Sequence, residues 1–146
     1  MGSKEFRELF GRNFNITRQA GKRYEALRRE PFFAGMESKH IFMLAMALAF
    51  EKKLERKKID RYPLLNTSSF TDQDLWLIAG LAVEETGNLT ILNDANEMKR
   101  IAEEYAMAGL AEVERLVAED TTDNLTLRLN KKGLDGLSTL TRNDKP

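Results

Sequence analysis

A run of ten consecutive apolar residues, Ile41 to Phe50, constrains the fold of this chain more than any other feature. A helix that is apolar on every side must be surrounded by protein, and ten residues are too few to cross a bilayer. The run therefore predicts a central buried helix, which we expect to begin at Ser38 as its N-cap. Neighbouring helices could approach it closely at its small residues, Ala45, Ala47 and Ala49.

Helical periodicity continues on both sides of this run. Apolar residues recur every three or four positions in four further segments, at 3–12, 17–30, 71–86 and 94–120. The expected N-caps are Thr17, Thr71 and Asp94, and the fourth helix is expected to stop at Gly87. Gly109 lies inside the last helix, where it predicts either a kink or a close crossing. We therefore expect a mainly α protein of about five helices.

No linker divides the chain, so we expect a single compact helical domain over residues 1–146. Its parts would be a basic N-terminal helical segment (1–30), a helical core (36–120) and a C-terminal segment (121–146). Pro63 and its polar neighbours predict a connecting loop over 56–70. In the last segment, leucines alternate with polar residues at 125, 127 and 129, which predicts a small C-terminal β element, a short strand or else a loose tail.

A formal net charge of zero conceals an uneven distribution of charge along the chain. Residues 1–62 carry 15 Lys and Arg against 8 Asp and Glu, whereas residues 63–120 carry 3 against 12. Clustered charge of one sign can hold phosphates or bind a complementary protein surface. The sequence thus favours the basic half as a binding surface.

Cations of the N-terminal segment form the candidate nucleic-acid-binding site. Helical spacing places Arg18, Lys22 and Arg29 opposite the apolar stripe that contains Tyr24, and each could contact a phosphate. The predicted DNA-binding residues are Arg12, Arg18, Lys22, Arg23 and Arg29, with Arg28 beside them. The same cations could instead pair with the acidic residues of 94–120, within one chain or across a dimer, so this alternative stays open.

Residue types that carry catalysis are scarce. The chain has no cysteine, which excludes disulfides, thiolate nucleophiles and thiolate-bound metals. Its single histidine, His40, stands at the start of the central helix, and we interpret it as a structural or capping residue. The carboxylate pairs are expected to be solvated surface because adjacent helical residues diverge by about 100°; they are Glu84-Glu85 and Glu103-Glu104.

Nucleotide-binding glycine loops are also absent from the sequence, so no cofactor and no metal are expected. These observations favour a non-enzymatic protein, and an enzyme with an unrecognised carboxylate site stays an alternative. No segment approaches the roughly 20 apolar residues of a membrane span, and the N-terminus has no apolar signal core. We therefore expect a cytoplasmic protein without a membrane partner.

Three stretches together carry a family resemblance, namely 40–50 leading through lysines to 62–64, then 85–89, and 101–110. This layout resembles the small bacterial and archaeal proteins called DNA phosphorothioation-associated protein 4, which are found with DNA sulfur-modification systems. The resemblance covers roughly residues 36–118. It implies a context of DNA modification and defence against foreign DNA, and it supplies no catalytic residues.

We therefore expect a non-enzymatic accessory protein that contacts DNA or a DNA-processing partner, such as a modification or restriction protein. Its contact surface would lie in residues 12–29. A second hypothesis is a protein-interaction module or homo-oligomer without nucleic acid, which would use the acidic helix around Glu103, Glu112 and Glu119.

Overall fold

The computed structural model describes residues 3–119. This part of the chain contains five α-helices, which are α1 (Ser3–Leu9), α2 (Ala20–Arg28), α3 (Ser38–Glu51), α4 (Asp72–Thr86) and α5 (Ala95–Glu119). It also contains two strands, β1 (Asn13–Ile16) and β2 (Tyr62–Asn66), and three short 3-10 helices, at Pro31–Phe33, Thr67–Ser69 and Leu89–Asn93. The mainly α fold with about five helices is confirmed. Within the described range, no helix is long and apolar enough to span a membrane.

The centre of the fold is the contact between α3 and α5. The apolar run lies in α3 and is largely enclosed, with Ile41, Phe42, Ala45 and Ala49 fully buried. At the crossing, a Cβ added to Gly109 would lie 1.8 Å from the Ala45 carbonyl oxygen. The two backbones therefore touch at this point, which confirms the close crossing as one of the two outcomes predicted for Gly109.

Local sequence signals set the ends of α4 and α5 as predicted. The Thr71 hydroxyl accepts a hydrogen bond from the Asp74 N–H (3.0 Å), and an Asp74 carboxylate oxygen accepts one from the Thr71 N–H (2.9 Å). Gly87 ends α4 in the left-handed region, with φ 65°. Asp94 accepts a hydrogen bond from the Glu97 N–H (3.1 Å) at the start of α5. These capping residues are confirmed.

Two other predicted N-caps were wrong. Helix α3 has Ser38 as its first helical residue, and the cap is Glu37, whose backbone N–H donates to His40 Nδ1 (3.1 Å). His40 is therefore a capping residue, one of the two roles expected for it. Helix α2 starts at Ala20 because Thr17 belongs to a preceding turn, in which its carbonyl oxygen accepts from the Ala20 N–H (2.8 Å).

Two strands form an antiparallel ribbon that the sequence did not predict. Asn13 pairs with Asn66, Phe14 with Leu65 and Ile16 with Tyr62, with an irregularity between Phe14 and Ile16. Segment 56–70 was expected to be loop, and it contains β2 and a 3-10 helix. Strands of four and five residues, one of them interrupted by a proline, are too short to show alternation clearly. The predicted C-terminal β element lies outside the described residues.

Aromatic side chains fix the ribbon to the helical core. The Phe14 ring stacks on Phe70 with centroids 4.5 Å apart, and it meets Phe10 at 6.0 Å and the edge of Phe42 at 5.6 Å. Aromatic pairs in such geometries add to the stabilisation from buried area. One strand residue thereby joins α1, α3 and the segment before α4, so the ribbon has a fixed position over α5.

The C-terminus of α3 offers a direct test of backbone strain. Lys53 follows the helix at φ 56°, and the Leu54 N–H donates to the Ala49 carbonyl (2.9 Å), a termination that normally uses glycine. We expect Lys53→Gly to raise the free energy of unfolding by about 0.5–1 kcal/mol in urea titrations, because glycine removes the left-handed strain. Glu51→Gly, inside the last turn of the helix, should lower it instead. Equal effects of the two variants on the free energy of unfolding would contradict strain at Lys53.

Candidate functional site

Helix α2 presents a basic face to solvent. Arg18, Lys22 and Arg29 are exposed, while Tyr24 and Leu27 are buried on the opposite side. Lys22 and Arg29 are seven residues apart, which places them on one side of the helix. Among residues 3–119, none of these three cations forms an ion pair. The prediction of a helix with Tyr24 in the core is confirmed, but Arg18 lies in the turn before α2 and not on the face of the helix.

The ribbon lies against the start of α2, and a further exposed cation precedes its second strand. The Arg18 guanidinium lies over the Tyr62 ring, 5.1 Å from its centroid, and the start of α2 packs close to the same ring at Gly21. Arg61 precedes Tyr62, is exposed, and has no ion pair within the described residues. We call Arg18, Lys22, Arg29 and Arg61 the basic surface.

Two of the five predicted residues lie apart from this surface. Arg12 is exposed at the far end of β1, where its carbonyl oxygen accepts from the Thr67 N–H (2.8 Å). Arg23 makes a bidentate ion pair with Glu114 of α5, at 2.8 and 2.5 Å, which raises its pKa. The alternative that basic residues pair with 94–120 is thus confirmed for Arg23. Of the other three predicted residues, Arg18 lies in the turn before α2, Lys22 lies within α2 and Arg29 follows its last residue.

A polar cleft opens next to the basic surface, between residues 58–61 and α5. Its volume is about 640 Å³, and four cations contribute to its lining, namely Lys58, Arg61, Lys99 and Arg100. Four acidic residues and the side chains of Asn15 and Asn96 also line it. Arg61 therefore belongs both to the basic surface and to the rim of this cleft.

Glu103 is the most unusual residue of the cleft. Its side chain is buried, with the residue 6% exposed, and its Oε2 accepts hydrogen bonds from the Asn15 N–H (2.6 Å) and the Asn15 side-chain amide (3.2 Å). Burial raises its pKa from 4.5 to about 7, against the opposing effects of Asn15 and the Lys99 ammonium. Lys99 itself donates to two backbone carbonyls, those of Phe10 and Asn13.

Its neighbour Glu104 enters a separate charged network. Glu104 is 7% exposed and lies 2.9 Å from Arg100 Nη1 and 3.6 Å from Arg56 Nε. Arg56 also pairs with Glu85 at 3.3 Å, and the Tyr105 hydroxyl donates to Glu85 at 2.7 Å. Burial is the larger cause that raises the pKa of Tyr105 to about 12, and the hydrogen bond that its hydroxyl donates to Glu85 contributes to the rise.

The expectation that both carboxylate pairs are solvated surface was wrong for Glu103-Glu104. The two side chains diverge as helical neighbours must, but the ribbon covers one and the segment after α3 covers the other. Glu84 is exposed as expected. A signal for this burial was present in the sequence, since small apolar residues flank the pair on all sides of α5, at Ala102, Ala106, Ala108 and Gly109.

The described part of the chain offers little support for a catalytic site or a metal site. His40 is exposed at the start of α3, and the cavities lined by Glu85 or Glu104 do not include it. Within residues 3–119, no group of three histidine or carboxylate side chains is arranged to hold a metal ion. The cleft carboxylates are instead bound by arginine, lysine and asparagine.

The stretches that carried the family resemblance meet in space, because Glu85 bonds to Tyr105 and Gly109 contacts the central helix. A family model described as DNA sulphur modification system-associated protein 4 matches residues 25–144. The chain belongs to this family. The match confirms the resemblance and extends it beyond 36–118 at both ends. A comparison with curated proteins found no match, and a comparison with solved structures found none.

Family membership associates the chain with DNA sulphur modification. The matched range contains only one of the five predicted DNA-binding residues, Arg29. It contains every α5 residue of the cleft and both rim cations, Lys58 and Arg61. The cleft therefore lies almost wholly in the part of the chain that defines the family, and the start of the basic surface precedes it.

Proposed function

We propose that this protein is a non-enzymatic accessory component of a DNA sulphur modification system and that it binds the DNA backbone through the basic surface. The observation that carries the proposal is the exposure of Arg18, Lys22 and Arg29 without an ion pair in residues 3–119. Other arginines of the fold, such as Arg23 and Arg56, are paired with carboxylates. Unpaired cations on one face are the arrangement that releases counterions when phosphates bind.

The contact would position DNA without reading its sequence. Arginine and lysine side chains on an exposed helix face suit phosphate oxygens, which carry no base information. Arg18 is held over Tyr62, so less side-chain freedom is lost when it binds a phosphate. Arg61 extends the same surface across the ribbon. We expect binding to duplex DNA of mixed sequence, with affinity dominated by charge.

Removing three cations of the basic surface should flatten the salt dependence of DNA binding. In fluorescence anisotropy across a salt series, the variant Arg18→Ala, Lys22→Ala, Arg29→Ala is expected to lose about 2.7 units of the logarithmic slope, because each phosphate contact contributes about 0.9. A duplex with and without phosphorothioate linkages, measured side by side, shows whether the modification itself affects affinity.

A charge-matched control separates a local contact from a general loss of positive charge. Lys4, Lys53 and Lys57 are exposed and lie outside α2, so replacing all three by alanine should change the slope much less. Arg23→Ala should also leave the slope nearly unchanged, since its guanidinium is bound to Glu114. An identical slope in the native protein and the α2 triple variant would remove this face from consideration.

A protein partner is the second candidate function, favoured by an exposed apolar area on α4. Trp76 is 52% exposed and Leu77 is 61% exposed. The acidic helix first considered for such a contact is less available, because Glu103 is buried and Glu112 pairs with Lys52 and Arg115. Failure of the native protein to bind DNA even at low salt would favour this candidate.

A further inference from the structure

The cleft beside the basic surface has a buried carboxylate with an unused acceptor. Glu103 Oε2 receives both donors of Asn15, and Oε1 has no hydrogen-bond partner among the described residues. Oε1 is not among the enclosed side-chain atoms of the described residues, so it is open to solvent. Glu103 lines the cleft, so a ligand there could donate the missing hydrogen bond to Oε1.

Two exposed cations lie at the rim of the cleft. Lys58 and Arg61 are exposed, and neither forms an ion pair in residues 3–119. The other arginine of the lining, Arg100, is committed to Glu97 and Glu104. The cleft therefore has a hydrogen-bond acceptor open in its wall and two cations at its mouth, of which Arg61 also attracts the Glu103 carboxylate. A ligand that satisfies both must carry an anionic group at one end and a polar N–H group at the other.

We infer that this cleft is a nucleotide-binding site, in which Lys58 and Arg61 hold the phosphate and Glu103 accepts a hydrogen bond from the base. Its volume of about 640 Å³ falls in the range of small-ligand sites, roughly 300–1,000 Å³. Carboxylates accept hydrogen bonds from base amino groups, and the Asn15 and Asn96 amides offer further polar contacts in the lining. Asn15 holds Glu103 in place from the ribbon, so the acceptor is positioned before the ligand arrives.

Two sources could supply this nucleotide. One is a free mononucleotide, and the other is a nucleotide unstacked from a DNA strand that lies on the basic surface. The second source follows from the position of Arg61, which lines the cleft and directly precedes Tyr62, over which Arg18 lies. Only this second source rests on the proposed function; binding of the free nucleotide does not.

Calorimetric titration with dCMP and with inorganic phosphate tests the site on the full chain, in alkaline buffer where the Glu103 carboxyl is ionised. We expect dCMP to bind saturably and more tightly than phosphate. Glu103→Gln keeps an oxygen for the Asn15 donors and places an amide NH₂ opposite the base, so it should weaken dCMP about tenfold or more. It should not weaken phosphate, because it removes a negative charge from the cleft. Lys58→Ala with Arg61→Ala should weaken both ligands about tenfold.

The control is Lys53→Ala with Lys57→Ala, which removes the same charge from exposed positions outside the cleft lining. Absence of saturable dCMP binding, or equal losses in the control and the rim variant, would overturn the site. Equal weakening of phosphate and dCMP binding by Glu103→Gln would also overturn the site. Circular dichroism of each variant establishes that it is folded.

Competition against dCMP then identifies the source. A DNA hairpin with one unpaired cytosine should displace dCMP more effectively than the fully paired hairpin if the nucleotide comes from DNA, and equal displacement would assign the cleft to free nucleotides. The Arg18/Lys22/Arg29 alanine variant should retain dCMP binding. Absence of duplex binding by the native protein, with dCMP binding intact, would count against the proposed function alone.

Discussion

Replacing Gly109 by alanine is expected to lower the free energy of unfolding by about 3 kcal/mol or more, or to prevent folding altogether. The added Cβ would lie 1.8 Å from the Ala45 carbonyl oxygen and 2.6 Å from its carbonyl carbon. Both atoms belong to backbone inside a helix, so no side-chain rotation relieves the clash. Helices α3 and α5 would have to separate, and the packing of the central apolar run would be lost along their contact.

Gly80 provides a matched control for this variant. It also lies inside a helix, α4, but a Cβ added there would meet nothing within 4 Å. Gly80→Ala is expected to raise the free energy of unfolding by about 0.5–1 kcal/mol, since alanine is the better helix former. Urea unfolding followed by circular dichroism compares the two variants directly. A Gly109→Ala protein as stable as the native one would show that the two backbones do not meet as described.

The helices could be predicted from the sequence because their signals are local. Thr71 and Asp74 bond to each other within one turn, Gly87 terminates its own helix, and Asp94 caps the helix that follows it. Each signal depends on residues a few positions apart, which the sequence places together whatever the rest of the fold does. The exposure of Lys22 and Arg29 follows in the same way from helical periodicity.

Features that depend on distant residues could not be predicted in this way. The ribbon joins β1 to a strand that begins 46 positions after the end of β1. Neither strand alone is long enough to show a recognisable alternation of apolar and polar residues. The pairing of Arg23 with Glu114 and the hydrogen bond from Asn15 to Glu103 are likewise tertiary. The sequence therefore indicated the exposure of Lys22 and Arg29 and treated the most unusual residue of the cleft as solvated.

Glu103 should make the protein less stable as the pH rises. Its pKa is about 7 in the folded protein and 4.5 when the side chain is solvated, so the folded state holds the proton more tightly than the unfolded state. The favourable contribution of the Glu103 carboxyl to the free energy of unfolding is fully present below about pH 4.5 and is lost as the pH rises through 7. The shift corresponds to a loss of about 3 kcal/mol between these limits.

Glu103→Gln isolates this contribution, because glutamine stays neutral at every pH and can still accept the Asn15 hydrogen bonds. Relative to the native protein, the variant should gain about 3 kcal/mol of unfolding free energy between pH 4.5 and 8. Glu112→Gln is the control of opposite sign: Lys52 and Arg115 lower the pKa of Glu112 to about 2, so its stabilising effect is present above about pH 4.5 and is lost in acid. Urea titrations from about pH 2 to 8 measure both variants. A constant difference between Glu103→Gln and the native protein above pH 4.5 would mean that the Glu103 carboxylate stays ionised without cost.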